Sequence, residues 1–237
     1  MGVRRGSRAS GASGGGLPTA AASGAVPVST GAGTTYTATD LAAAVLASRT
    51  TTLLASSTGW TLASGNGGTA TLSGGSLVLV TPSGSSSGDS SGVRISLPGY
   101  ARWSVQFRVT LASSDTNAGC MTRFYLDWAG AFGSYQLFQL GMDGTLSALS
   151  GSWSSIPLDG TGWLRIDSDG STMRLWRGVS SGDTEPTSWR LLKTATITSA
   201  TDYAQPARLY INCLSEGHTS TGTVTATYRN LVVRDLG

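Results

Sequence analysis

The stretch WSVQFRVTL, residues 103–111, alternates without a break. Trp103, Val105, Phe107, Val109 and Leu111 share one parity; Ser104, Gln106, Arg108 and Thr110 share the other. A period of two puts successive side chains on opposite faces of an extended strand, so one face is apolar and one polar. VRISL repeats the pattern with Val93, Ile95 and Leu97 inward. The same reading predicts strands at TATL, SLVLV, MTRFYLD, SYQLFQL, TLSAL, WLRID, TMRLWR, RLLKTATI, ARLYINCL, GTVTATY and NLVVRDL. Between them lie the turn signals GNGG, PSGSSSGDSSG, MDG, LDG, SDG and SEGHTSTG. About a dozen short antiparallel strands after Trp60 predict an all-β fold, a two-sheet antiparallel sandwich or jelly roll. No fixed-period repeat is visible, which argues against propellers and solenoids.

Ahead of the strands the pattern changes twice. In residues 1–33, Gly, Ala and Ser fill 21 positions, leaving too little apolar surface to offset the cost of ordering the backbone. TDLAAAVLASR then predicts one short helix over 40–49, capped by Asp40 or Thr39, with Leu41, Val45 and Ser48 on one stripe. A helix of that length needs a surface to dock on. The expected organisation is a low-complexity assembly arm over 1–35, a short helix and linker over 36–59, and a β-sandwich domain over 60–237.

Charge refines this picture. The net charge is +3, and Arg4, Arg5 and Arg8 supply all of it, since the other 13 basic residues balance the 13 acidic ones. The folded part is therefore near neutral, and it lacks the basic stripe interleaved with aromatics that nucleic-acid binding calls for. Lys193 is the only lysine, a bias that suits planar contacts to carboxylates and aromatic faces and equally fits a GC-rich coding sequence. No apolar run has the length of a membrane span, and no export signal is expected from the Gly/Ala/Ser-rich start. Cys120 and Cys213 fall in strand-like segments and read as two buried thiols, a bridge between neighbouring strands being the alternative.

The most informative short stretch is GWLRIDSDGSTMRLWRG, residues 162–178. A two-residue turn at Asp169-Gly170, a favoured hairpin sequence, sets Ser168 opposite Ser171, Asp167 opposite Thr172, Ile166 opposite Met173, Arg165 opposite Arg174, Leu164 opposite Leu175 and Trp163 opposite Trp176. Leu164, Ile166, Met173 and Leu175 then point to the core, with Trp163, Arg165, Asp167, Arg174 and Trp176 on the other face. Opposed arginines repel unless each stacks on a Trp or meets an acid. Exposed, this Trp/Arg ladder, with Tyr135, would contact a sugar ring or a protein partner. Covered by RGVSSGDTEPTSW, it would be a second small core. A calcium loop does not fit, because its fifth and twelfth ligand positions, counted from Asp167, fall on Ser171 and Gly178. No metal or cofactor is expected.

Candidate chemistry is scarce. The only glutamates are Glu185 and Glu216, far apart in turn-like stretches, whereas glycoside hydrolysis calls for two acids flanking one bond. His218 is the sole histidine and lies in SEGHTSTG, with no G-x-S-x-G elsewhere. One His and two separated Cys make no recognisable zinc set, and GNGG and SGGS open no helix, so they are turns. No catalytic residue is expected.

The opening GWTLASG, the hairpin WLRIDSDGSTMRLWR, the following EPTSWRLL and the closing TVTATYRNLVVRDL resemble the concanavalin A-like lectin/glucanase superfamily, laminin-G-like domains included, over about residues 60–237. The resemblance implies a lectin-like sandwich. The acidic signature of the superfamily's glucanases is missing, and DTNAG at 115–119 is only a faint counterpart of a lectin's metal loop. The layout of arm, short helix and one such domain is similar to tailed-phage virion proteins, minor tail or capsid decoration proteins, which dock through an N-terminal segment.

Two functions are expected from these features. The first is a non-enzymatic structural protein at a virion surface, its arm (Arg4, Arg5, Arg8) and helix (Leu41, Val45) binding its own copies and neighbouring virion proteins. The alternative is a carbohydrate-binding module for host surface glycans, with Trp163, Trp176 and Tyr135 as platform and Arg165 and Arg174 as polar partners.

Overall fold

A computed structural model describes residues 25–29, 36–40, 49–62, 67–97, 100, 102–117, 119–127, 135–142, 145–148, 156–157, 161–180, 182–196 and 208–237. The chain forms two compact units, Met1–Arg49 and Thr50–Gly237.

In the first unit, β1 (Ala25–Ser29) and β2 (Tyr36–Asp40) pair antiparallel, from Ala25 opposite Asp40 to Ser29 opposite Tyr36. Composition predicts no order over 25–29, but Val26 and Val28 are β-branched and gain a partner in YTATD. Asp40, expected to cap a helix, closes β2 instead. The remainder of that helix, with Leu41 and Val45, lies outside the described residues, as do Arg4, Arg5 and Arg8.

The second unit holds the other strands. In chain order they are β3 (Thr50–Thr52), β4 (Trp60–Leu62), β5 (Thr69–Ser73), β6 (Ser76–Thr81), β7 (Ser86–Ser96) and β8 (Trp103–Ser113). There follow β9 (Cys120–Asp127), β10 (Tyr135–Gly141), β11 (Thr145–Ala148), β12 (Ile156–Pro157), β13 (Thr161–Ser168) and β14 (Thr172–Gly178). The last three are β15 (Trp189–Thr196), β16 (Arg208–Thr219) and β17 (Val224–Asp235). They make two antiparallel sheets, a sandwich as predicted. The seven-stranded sheet runs β12-β11-β10-β9-β16-β7-β4, and the eight-stranded sheet runs β15-β14-β13-β8-β17-β6-β5 with β3 added on β17.

Parity placed the core correctly. Trp103, Val105, Phe107, Val109 and Leu111 are buried, and Val93, Ile95 and Leu97 join them from the other sheet. The sheets meet where Phe107 of β8 stacks on Phe124 of β9, ring centres 4.8 Å apart, with Tyr228 of β17 5.5 Å from Phe107. The Tyr228 hydroxyl shares a 2.7 Å hydrogen bond with Thr122 Oγ1, which also bonds the Asn212 carbonyl at 2.6 Å. Burial pushes this phenol far above its ordinary range.

Three boundaries differ from the sequence reading. The sandwich starts at Thr50: β3 pairs with Val232–Arg234, and the 3-10 turn Leu53–Ala55 puts Leu53 and Leu54 into the core. PSGSSSGDSSG is not all turn, since β7 begins at Ser86 and pairs with β16 as far as Thr219. SEGHTSTG likewise holds the end of β16, with Ser215–Thr219 as strand. In both cases a long partner strand overrides small-residue composition, because strand preference is set by neighbours more than by intrinsic propensity.

Candidate functional site

The hairpin of β13 and β14 keeps its predicted faces but not its register. Ser168 pairs with Met173, Asp167 with Arg174, Ile166 with Leu175, Arg165 with Trp176 and Leu164 with Arg177, leaving 169–172 to make the turn. The cause is the Asp169 carboxylate. Its Oδ1 accepts the backbone N–H of Ser171 (3.0 Å) and of Thr172 (2.8 Å) and the Ser171 hydroxyl (2.8 Å), while Oδ2 accepts Arg174 Nη1 (2.8 Å). These bonds, the one from Ser171 foremost, hold the Asp169 carboxyl far below the usual carboxylate range. A slip of two residues preserves parity, so the core face is intact, and it separates the opposed arginines.

Arg165 now faces Trp176 across the strands. Its guanidinium carbon lies 5.1 Å from the Trp176 ring centre and 4.7 Å from that of Trp189, and its Nε is 3.2 Å from Asp167 Oδ1. Each arginine therefore has a compensating partner.

The loop 179–188 covers this face. Trp163 is 1% exposed and donates its indole N–H to the Gly182 carbonyl at 2.9 Å. Pro186 packs on Gly178, where a Cβ would stand 2.3 Å from Pro186 Cγ and 2.8 Å from Trp163 Cβ. Asp183 bridges Arg108 (2.7 Å) and Arg229 (2.9 Å), cancelling a like-charge pair that the register sets opposite each other. Arg234 contacts both Glu185, at 3.1 Å, and Gln106. Asn230, whose φ of 51° sits at a β-bulge, donates to the Asp183 carbonyl. Of the five residues expected to form one platform, Trp163, Arg165, Arg174 and Trp176 share this sheet and Trp163 is sealed under the loop. Tyr135 belongs to the other sheet, where its backbone pairs with Leu126. The structure does not bring the five together.

The outer face of the seven-stranded sheet carries a different cluster. Tyr210 of β16 stands between Arg94 of β7 and Tyr125 of β9 in register. The two tyrosine rings stack at 5.6 Å and 27°, and the Arg94 guanidinium lies 5.2 Å from the Tyr210 ring centre. One row along are Gly92, Asn212, Arg123 and Gln139. Arg123 donates from Nε to Gln139 Oε1 at 2.7 Å, reaches the Tyr125 hydroxyl at 3.5 Å and ion-pairs with Glu216. Gly92 makes room for Tyr210, whose hydroxyl would be 2.7 Å from a Cβ at that position. Sequence reading placed MTRFYLD and ARLYINCL on strands, but nothing local signals that Tyr125 and Tyr210 would meet, because the strands adjoin only in the folded sheet.

The remaining sequence candidates are mostly tied up in structure. In DTNAG, Asp115 accepts the backbone N–H of Asn117 and of Thr221, and Asn117 Oδ1 accepts that of Gly119. Among the described residues no group of three His, Cys, Asp or Glu is placed to hold a metal. Cys120 and Cys213 are buried thiols not joined in a disulfide, and burial pushes them up to about 11 and about 12 respectively. His218 contributes its backbone to β16. No helix of the described residues is long and apolar enough to cross a membrane.

No family model matches the chain, and no curated protein sequence matches it. Solved structures do. A Bacillus licheniformis β-glucanase superposes with a TM-score of 0.50 at 14% identity, covering 76% of this chain and 94% of its own. A prokaryotic β-1,3-1,4-glucanase (lichenase) from a mouse hindgut metagenome gives 0.48 at 16%, covering 74% and 92%. The CBM2 module of the evolved Dit of Lactobacillus casei BL23 phage J-1 gives 0.46 at 13%, covering 78% and 94%. At such identities the likeness is one of fold alone, a two-sheet antiparallel β-sandwich.

Proposed function

We propose that the sandwich is a non-enzymatic carbohydrate-binding domain whose ligand lies on the outer face of the seven-stranded sheet. The observation that carries this is the Arg94–Tyr210–Tyr125 row beside Arg123, Gln139 and Glu216. Arg94, Tyr125, Arg123 and Gln139 are half-buried and Glu216 is exposed, while Tyr210 and the neighbouring Asn212 are buried. Amphipathic rings offer apolar surface to the C–H groups of a pyranose, while planar guanidinium, amide and carboxylate groups match its hydroxyls.

Hydrolysis draws no support from the glutamates. Glu185 is ion-paired with Arg234 of the eight-stranded sheet and Glu216, in β16 of the seven-stranded sheet, with Arg123, so the two do not flank one bond as glycoside cleavage requires. The test is a glycan array spanning bacterial cell-wall polysaccharides, probed with the full chain and with Tyr125→Ala. Binding by the full chain that Tyr125→Ala loses supports the proposal. Binding that survives the substitution, or no binding to any sugar, contradicts it.

A second reading sets this domain in a virion, with the first unit joining copies of the chain and neighbouring particle proteins. The division of the chain at Arg49 and Thr50 favours it, since a separate N-terminal unit is free to serve assembly. Deleting residues 1–35 should then abolish incorporation into particles and leave the sandwich folded; normal incorporation would refute it.

A further inference from the structure

At one end of the tyrosine row, where β4, β7 and β16 run side by side, a cavity of about 190 Å³ is lined by Gly59, Thr61, Arg94, Ile95, Ser96 and Arg208. Thr61 stands opposite Arg94, and Ser96 opposite Arg208. Two guanidinium groups and two hydroxyls thus line one opening, and no carboxylate is among its described lining residues. Arg208 has Asp127 opposite it on β9. Arg94 differs: its guanidinium lies over the Tyr210 ring, and among the described residues no acid pairs with it.

A guanidinium over an aromatic ring has no hydrogen-bond acceptor in that ring's face, and its fork of N–H groups can grip an anion with two parallel hydrogen bonds. The space is smaller than the roughly 300–1,000 Å³ of a site for a whole drug-sized ligand, so it suits a single sugar residue or its substituent. We infer that this cavity binds the anionic group of an acidic sugar, a carboxylate or a phosphate, while the adjoining Tyr210 and Tyr125 carry the rest of the glycan. The inference rests on the sugar-binding reading above and adds the charge class of the ligand and Arg94 as the residue that selects it.

The experiment is calorimetric titration of the full chain with tetragalacturonate, a glycerol-phosphate oligomer and cellotetraose. One of the anionic probes should bind at least about tenfold tighter than cellotetraose at low salt, and the gap should shrink in about 0.5 M NaCl. Whichever anionic probe leads identifies the source of the charge. Arg94→Gln should close most of the gap by weakening the anionic probe far more than it weakens the neutral one, while Arg94→Lys should retain part of the gap. Equal affinity for charged and neutral probes, or a gap untouched in Arg94→Gln, would overturn the inference and leave sugar binding standing. If the array finds a neutral ligand and neither anion binds, the inference alone falls. Silence from all three probes and from the array removes both.

Discussion

The indole N–H of Trp163 donates to the carbonyl of Gly182 at 2.9 Å, and that single bond marks where a loop has closed over what would otherwise be an exposed aromatic face. The eight-stranded sheet spends its Trp and Arg side chains on a second layer of structure, and the outer face of the seven-stranded sheet carries the row of Arg94, Tyr210 and Tyr125.

The fit of the loop depends on a missing side chain. Gly178→Ala would drive a methyl into Pro186 and Trp163. We expect a loss of about 1–3 kcal/mol, the usual cost of overpacking, read as a lower midpoint in urea. An unchanged midpoint would mean that the loop is not packed as described.

The Asp183 bridge is half exposed, and such pairs contribute little. Asp183→Ala should cost about 1 kcal/mol or less, and the difference from wild type should shrink as salt rises. A larger, salt-independent loss would show that Asp183 anchors the loop by means other than charge.

Asp169 makes the hairpin turn acid-sensitive. Its folded carboxyl is held below the unfolded value, so the stability it supplies is complete above the ordinary carboxylate range and is lost as pH falls through and below that range. Asp169→Asn should flatten this part of an acid-unfolding curve. If the variant loses stability between pH 5 and pH 2 as steeply as wild type, with about 3.9 taken as the unfolded value, the turn is not held by charge.

The thiols run the other way. Burial raises Cys120 to about 11 and Cys213 to about 12, so the folded state favours the protonated thiols, and this contribution falls as pH rises from about 9 toward those values. At pH 8 neither thiol of the native chain should react with a disulfide reagent, and both should react in denaturant. Rapid labelling of the native chain would contradict the burial.

How much of this the sequence shows follows from the range of each interaction. Alternation in WSVQFRVTL fixed its buried face, and parity alone assigned Ile166 and Leu175 to the core. The hairpin register slipped by two because a side chain, Asp169, satisfies the turn's backbone, a local bond that the preference of Asp-Gly for tight turns does not reveal. The closed loop was one of two alternatives in sequence, and the contacts of Pro186 with Gly178 and of Gly182 with Trp163 decide between them. The tyrosine row was not legible at all: Tyr125 and Tyr210 become neighbours only when β16 inserts between β7 and β9. Gly92 sits in a stretch that reads as turn, yet it is a strand residue whose bareness lets Tyr210 lie against the sheet.

That placement yields a sharper test of the site. Gly92→Ala would set a methyl against the buried Tyr210 ring. It should therefore push Tyr210 out of its stack and weaken glycan binding about tenfold or more, at a stability cost of about 1–3 kcal/mol. Binding unaffected by Gly92→Ala would remove Tyr210 from the site.

The most direct measurement is an amide and indole chemical-shift map of the isotope-labelled full chain, recorded before and after saturation with the glycan that the array selects. The account predicts shifts at Arg94, Tyr125, Tyr210 and Asn212, with the indole signals of Trp163 and Trp176 unmoved. Shifts confined to those two tryptophans and to the loop 179–188 would place the ligand on the opposite sheet and contradict it.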